Sequence, residues 1–166
     1  TRRIMNEKRR LLGMTLDELK GVAFEAGLPG YAAKQMADWL YKKKVTSIAA
    51  MTNIASAKRA LLEKNFEVGA VPPSDLMKSV DGTIKYLYPA GPGNFVESVY
   101  IPTEDRATLC VSSQVGCKMN CLFCMTGKQG FTKNLSANEI LNQIQSLPET
   151  EELTNIVFMG MGEPLD

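Results

Sequence analysis

The chain has 166 residues, 45% of them hydrophobic and 22% charged, a composition suited to a globular protein with a sizeable core. No apolar run approaches the roughly 18–20 residues of a membrane span, and the basic start, Thr1 to Arg10, has no apolar run behind it, so no secretory signal is expected. The net charge of +1 conceals an asymmetry: residues 1–69 hold 13 Lys/Arg against 7 Asp/Glu, and residues 70–166 hold 6 against 11. A basic front suits a polyanionic partner such as nucleic acid, or simply a solvated helical face.

In chain order, the first 69 residues read as a small basic helical domain. Thr15-Leu16-Asp17-Glu18 fits a capping box, with Thr15 at N-cap and Glu18 at N3. Leu16, Leu19, Ala23 and Ala26 follow at helical spacing, and Gly27-Leu28-Pro29-Gly30 is a turn. Ala33, Met36, Ala37, Leu40 and Tyr41 form a second amphipathic stripe, with Trp39 beside it and Lys42, Lys43 and Lys44 closing the helix where cations suit the dipole. A third helix is expected from about Ser56 to Phe66. Two short helices around a glycine turn resemble a helix-hairpin-helix, a form that contacts phosphate backbones; a plain helical packing module is the alternative.

The pattern changes at Pro72-Pro73. Residues 70–104 read as a β-hairpin linker region, with short aromatic and β-branched strands at 84–88 and 95–101 and turns at Asp81-Gly82 and 89–93. Residues 105–166 read as a strand at 107–112, a cysteine loop, a helix opened by a second capping box (Ser136 to Glu139) with Ile140, Ile144 and Leu147 on one face, and a buried strand at 155–160. Strand, loop, helix, strand is the βαβ repeat of a parallel sheet or barrel, so the expected class is α/β, or α+β with the helical front included.

All four cysteines lie between positions 110 and 124, and the chain has no histidine. Such clustering suits ligands or reactive thiols in a reducing cytoplasm better than disulfides. Cys117, Cys121 and Cys124 are spaced C-x3-C-x2-C with Phe123 before the last. Three thiolates on one tight loop can hold three irons of a [4Fe–4S] cubane and leave the fourth open to chelate S-adenosylmethionine (SAM), the arrangement of radical SAM enzymes. A structural zinc with Cys110 as fourth ligand is the alternative. The loop directly follows a strand, where barrels of this kind keep active sites. The later segment Met159-Gly160-Met161-Gly162-Glu163-Pro164 is a glycine-rich strand end that lets backbone approach a ligand.

The segments Cys110 to Cys117, Cys121 to Cys124, Gly130-Phe131 and Gly160 to Leu165 resemble the RlmN family of dual-specificity RNA methyltransferases. The resemblance covers the whole chain and is strongest from about Phe95 onward. It implies a partial (β/α) barrel, a [4Fe–4S] cluster on Cys117, Cys121 and Cys124, and SAM at Gly162 and Glu163. It further implies methylation of adenosine C2 in 23S rRNA and tRNA, with a reducing electron donor as a further partner. By the same resemblance, one SAM methylates a cysteine further along the protein, and a second generates the radical that activates this methyl group for addition to adenine. Glu97 matches the general base, and Cys110 the cysteine that resolves the covalent protein–RNA intermediate by forming a disulfide.

Read without the resemblance, Cys110 is a small buried strand residue. Alternation puts Glu97 on one strand face with Phe95, Val99 and Ile101, where a carboxylate needs a partner or a use as a base; a structural ion pair is the alternative. The sequence departs from the family in two ways. No cysteine remains outside the loop except Cys110, so the methyl carrier and the later barrel strands are absent and the chain is expected to be a truncated, N-terminal portion, inactive alone. Met125 also stands where relatives carry a small residue. Two other functions remain open: a radical SAM enzyme on a non-RNA substrate, and a non-enzymatic RNA-binding module with a structural metal.

Overall fold

The computed structural model describes residues 8–166; most of the basic start, residues 1–7, lies outside the described residues. The chain divides into two compact units, one running to Ala70 and the other from Val71 to Asp166.

Helix formation in the first unit begins where the local signals are strongest. After β1 (Arg9–Arg10), Thr15 caps α1 (Leu16–Glu25): the Glu18 N–H donates to Thr15 Oγ1 at 3.3 Å, and the Thr15 N–H donates back to Glu18 Oε2 at 2.6 Å. The buried stripe of α1 is Leu19, Val22 and Ala23, continued by Ala26 just beyond the helix. Leu16, expected inside, is exposed, because the first residue of the helix turns toward solvent ahead of the stripe. Helix α2 (Ala32–Tyr41) buries Ala33, Met36 and Leu40 as its spacing predicts. It ends at Tyr41, so only Lys42 stands at its C-cap, bridged to Asp38 at 3.1 Å, while Lys43 Nζ lies 3.6 Å over the Trp39 ring. A single turn at Ile48–Ala50 leads to α3 (Ser56–Asn65) and then to β2 (Phe66–Glu67), which pairs in parallel with β1. Leu11, Leu19, Met36, Leu40, Met51 and Leu62 are fully buried at the centre of this unit.

The second unit is built on a sheet ordered β3-β4-β5-β6-β9. Its strands are β3 (Asp75–Lys78), β4 (Ile84–Pro89), β5 (Phe95–Pro102), β6 (Ala107–Cys110) and β9 (Asn155–Val157). Pairing is antiparallel from β3 to β6, and β6 pairs with β9 in parallel. Between β6 and β9 come β7 (Gln114–Val115), α4 (Met125–Gln129), β8 (Lys133–Asn134) and α5 (Ala137–Gln145), with β7 and β8 paired antiparallel. The architecture is mixed α/β, as the sequence predicts. The strands expected at 107–112 and 155–160 end at Cys110 and Val157; the Val111 N–H still donates to the Val157 carbonyl at 2.9 Å, and beyond it the Ser112 backbone turns to the Gln143 side chain.

Alternation divides the sheet into two faces. Ile84, Tyr86, Tyr88, Val96, Tyr100 and Leu109 point into the core, where Leu147 joins them. Lys85, Leu87, Glu97, Val99, Cys110 and Val157 share the opposite face, since they alternate with the core residues and are paired across the strands. Helix α5 is capped by Ser136 and Glu139 as expected, but its buried residues are amides. Asn142 clamps the Val71 backbone, accepting from its N–H at 2.7 Å and donating to its carbonyl at 2.8 Å, and Gln143 does the same to Ser112. Ile140 and Ile144 are only partly buried against the core. The loop after α5 is tied to the sheet by phenols: Tyr86 Oη donates to Glu149 at 2.7 Å and Tyr100 Oη to Glu152 at 2.7 Å. No helix among the described residues is long and apolar enough to cross a membrane.

Candidate functional site

The cysteine loop is a closed excursion pinned at its base. The Cys117 N–H donates to the Gly130 carbonyl at 3.2 Å and the Thr132 N–H to the Val115 carbonyl at 2.8 Å. Gly116 makes this closure possible: its φ is +75°, and a Cβ there would sit 1.7 Å from the Gly130 oxygen. Inside the loop, the Cys124 N–H donates to the Cys121 carbonyl at 3.0 Å, which starts α4 directly after the third cysteine. The Gly127 N–H holds the Cys124 thiol below its ordinary range. Lys118 ties the loop outward, to Asp166 at 2.8 Å and over the Phe131 ring at 4.5 Å.

All four cysteines are free thiols. Among the described residues, no group of three or more His, Cys, Asp or Glu side chains is gathered to hold a metal. The fold therefore carries Cys117, Cys121 and Cys124 together on one pinned loop without drawing them into a ligand set, and Cys110 does not join them as a fourth. The donor chemistry nonetheless fits an iron–sulfur cluster, for the loop offers three unpaired thiols, two partly exposed and Cys121 exposed.

Cys110 ends β6, opposite Val99 on one side and Val157 on the other. Burial raises its thiol above the ordinary range. Glu97 lies on the same sheet face, with Phe95, Val99 and Ile101 as its alternation predicts, but this is the partly exposed face rather than the core. Its Oε1 meets Lys85 Nζ at 3.0 Å, so the expected ion pair is present, and at 43% and 44% side-chain exposure the pair adds about 0–1 kcal/mol of stability.

An open cleft of about 310 Å³ lies between β5, α4 and the turn after β9. Its walls include Phe95 and Glu97 from β5, Met125, Thr126 and Gln129 from α4, and Met161 from the turn after β9. Met125, directly after the third cysteine, is thus a wall of this cleft. Gly162 and Glu163 follow in the same turn. Gly162 has φ +100°, and a Cβ on it would strike Gln114 at 2.5 Å, so its glycine character serves packing against residue 114. The Glu163 N–H donates to Gln114 Oε1 at 3.0 Å.

Three residues without a role in the sequence reading organise this region: Ser112, Gln114 and Gln143, all buried. Gln114 also donates to Asn134 at 2.9 Å and to Asp166 at 3.2 Å. Their signal in the sequence is faint: polar residues placed directly after an apolar strand, and a glutamine on an otherwise amphipathic helix.

Residues 9–68 match the ribosomal RNA large subunit methyltransferase N-terminal domain, and residues 111–166 match the radical SAM superfamily. The probable dual-specificity RNA methyltransferase RlmN of Parabacteroides distasonis is 82% identical over 162 residues, 98% of this chain and 47% of that protein. The corresponding protein of Bacteroides thetaiotaomicron is 65% identical over 162 residues, with the same coverage, and the dual-specificity RNA methyltransferase RlmN of Geobacter sulfurreducens is 47% identical over 153 residues. The crystal structure of a radical SAM methyltransferase from Sphaerobacter thermophilus superposes with a TM-score of 0.85 at 37% identity, covering 95% of this chain and 48% of that one. The chain spans about half the length of the curated relatives it matches.

Proposed function

This chain belongs to the RlmN family, and from that premise we propose that it is the cluster-bearing part of a radical SAM enzyme that methylates C2 of adenosine in 23S rRNA and tRNA. The observation that carries the reading is the cleft that sets Glu97 beside the helix after the cysteine loop and beside the turn leading to Gly162 and Glu163.

Cys117, Cys121 and Cys124 would hold the [4Fe–4S] cluster, and the turn at Gly162 and Glu163 would take SAM. With both bound and an electron donor present, the site gains a radical able to activate an otherwise inert methyl group. Every other task falls to side chains. Glu97, on a face open to the cleft, takes the proton from adenine C2 while C2 is bonded to the methylene carbon of the methyl-carrying cysteine. Cys110, on the same face, attacks the sulfur of the methyl-carrying cysteine as a thiolate; the disulfide forms as the sulfur–carbon bond to the RNA-bound methylene breaks, and that carbon takes a proton to become the methyl group of the freed RNA. That second cysteine is not among the 166 residues, since the three others stand on the loop. The 166 residues alone therefore do not methylate RNA. The first unit, with its excess of Lys and Arg, contacts the RNA backbone. A reducing cytoplasm suits thiols in these roles.

The test uses the full-length protein carrying this sequence. Anaerobic reconstitution should give about four irons with sulfide, an EPR spectrum altered by SAM, and C2-methyladenosine in rRNA and tRNA detected by mass spectrometry. Glu97→Gln should abolish product while leaving cluster and SAM binding intact, and Cys110→Ala should trap a covalent protein–RNA species. One zinc per chain, or an EPR spectrum indifferent to SAM, would sink the reading.

A further inference from the structure

We propose that Ser112 is a positioning residue that fixes the strand bearing Glu97 against the turn bearing Gly162 and Glu163. The inference rests on the proposed site and adds the part that sets its internal spacing.

The β5–β6 register pairs Val99 with Cys110, and carried two residues further it sets Ser112 opposite Glu97. Regular pairing has ended there, because the Ser112 backbone is turned away to the Gln143 side chain, which takes its N–H at 2.9 Å and donates to its carbonyl at 3.0 Å. The hydroxyl supplies the missing cross-link. Ser112 Oγ donates to the Glu97 carbonyl at 2.5 Å and accepts from the Met161 N–H at 2.9 Å. One oxygen atom therefore joins the two segments, using its single proton and one lone pair. The residue is wholly buried, so no water can replace either bond.

The surroundings leave that oxygen little latitude. A Cβ on Gly160 would lie 2.7 Å from Ser112 Oγ and 2.7 Å from the Val111 oxygen, so the turn approaches this hydroxyl as closely as glycine allows. The Gly160 N–H donates to Val111 at 3.1 Å, and the Ser113 N–H to Met161 at 2.9 Å, which places the turn on residues 111–113 from both sides of the hydroxyl. Without the hydroxyl, a carbonyl on the Glu97 strand and an N–H on the turn, both part-buried, lose their shared partner. Segments that must meet the same substrate complex are then free to separate.

The experiment compares three variants of the full-length, cluster-loaded enzyme. Ser112→Ala removes the link, Gly160→Ala pushes on it from the turn, and Leu147→Ala destabilises the same core without touching it. SAM dissociation constants are measured by equilibrium dialysis, thermal midpoints by circular dichroism, and amide hydrogen exchange on the cluster-free protein. Ser112→Ala and Gly160→Ala should weaken SAM binding about tenfold, the equivalent of one buried hydrogen bond. Leu147→Ala should leave SAM affinity within about twofold despite a comparable loss of thermal stability. Exchange should quicken together in residues 95–99 and 158–163 of Ser112→Ala, a readout that survives even if that variant loads no cluster. Unchanged SAM affinity in Ser112→Ala, or exchange that quickens in only one of the two segments, overturns the inference alone. SAM affinity indifferent to Gly162→Ala and Glu163→Ala overturns the site assignment and the inference with it.

Discussion

Gln143 holds both backbone groups of one residue, and it does so from the interior of a helix face that reads as apolar. Replacing it with leucine keeps the volume but leaves the Ser112 N–H and carbonyl buried without partners. Gln143→Leu should therefore cost about 3 kcal/mol, measured as a lower urea midpoint with an unchanged slope. The residues proposed to bear chemistry are easier to find in the sequence than those that hold them. Cys117, Cys121 and Cys124 stand out by spacing, whereas Glu97 is singled out only by the family resemblance. Ser112 and Gln114 give no such sign, because a sequence pattern reports that a residue is polar and not which backbone atom it will satisfy. Glu97 also shows where alternation stops: it groups the strand residues correctly, but which group faces the core depends on α5, and the carboxylate lies on the other side with Lys85.

Secondary elements with a strong local cause are legible. Thr15 and Ser136 start helices where their capping boxes predict, and β4 and β5 lie within a residue or two of their aromatic runs. Strand β3 escapes the sequence reading because all four of its residues are exposed and only its register with β4 makes it a strand. The cap of α5 carries measurable stability: Ser136→Ala should cost about 1 kcal/mol by chemical denaturation. The phenols under the loop after α5 give the sheet a pH dependence of its own. Burial pushes Tyr88 up to about 12, and the hydrogen bond to Glu152 with burial pushes Tyr100 up to about 12, both from an ordinary 10.0, while burial and Glu149 raise Tyr86 further still. Folded phenols thus keep protons that unfolded ones release. Their contribution is fully present below pH 10 and is lost as pH rises toward 12. The phenolate absorbance of Tyr86, Tyr88 and Tyr100 should appear late and together with loss of the β-sheet circular dichroism signal; titration of these three ahead of that loss, read by difference from variants with each replaced by phenylalanine, would contradict this coupling.

At the scale of the molecule, charge and chemistry are divided between the two compact units. The basic excess lies in the first, the cysteine loop and cleft in the second. Reversing Lys42, Lys43 and Lys44 to glutamate should weaken RNA binding and flatten its dependence on salt, by about 0.7–0.9 in the logarithmic slope for each phosphate no longer neutralised, while the EPR spectrum of the loaded cluster stays the same. RNA affinity that ignores both salt and these lysines would remove the first unit from the interface. The sheet of the second unit is itself divided. Its parallel pair, β6 and β9, brackets the cysteine loop, whereas Glu97 comes from an antiparallel hairpin laid alongside β6. The piece proposed to generate the radical and the piece proposed to accept the proton thus belong to different parts of the sheet, one parallel and one antiparallel. Within the sheet, the hairpin that carries Glu97 is joined to the cysteine-loop strand only through one antiparallel edge, the pairing of β5 with β6.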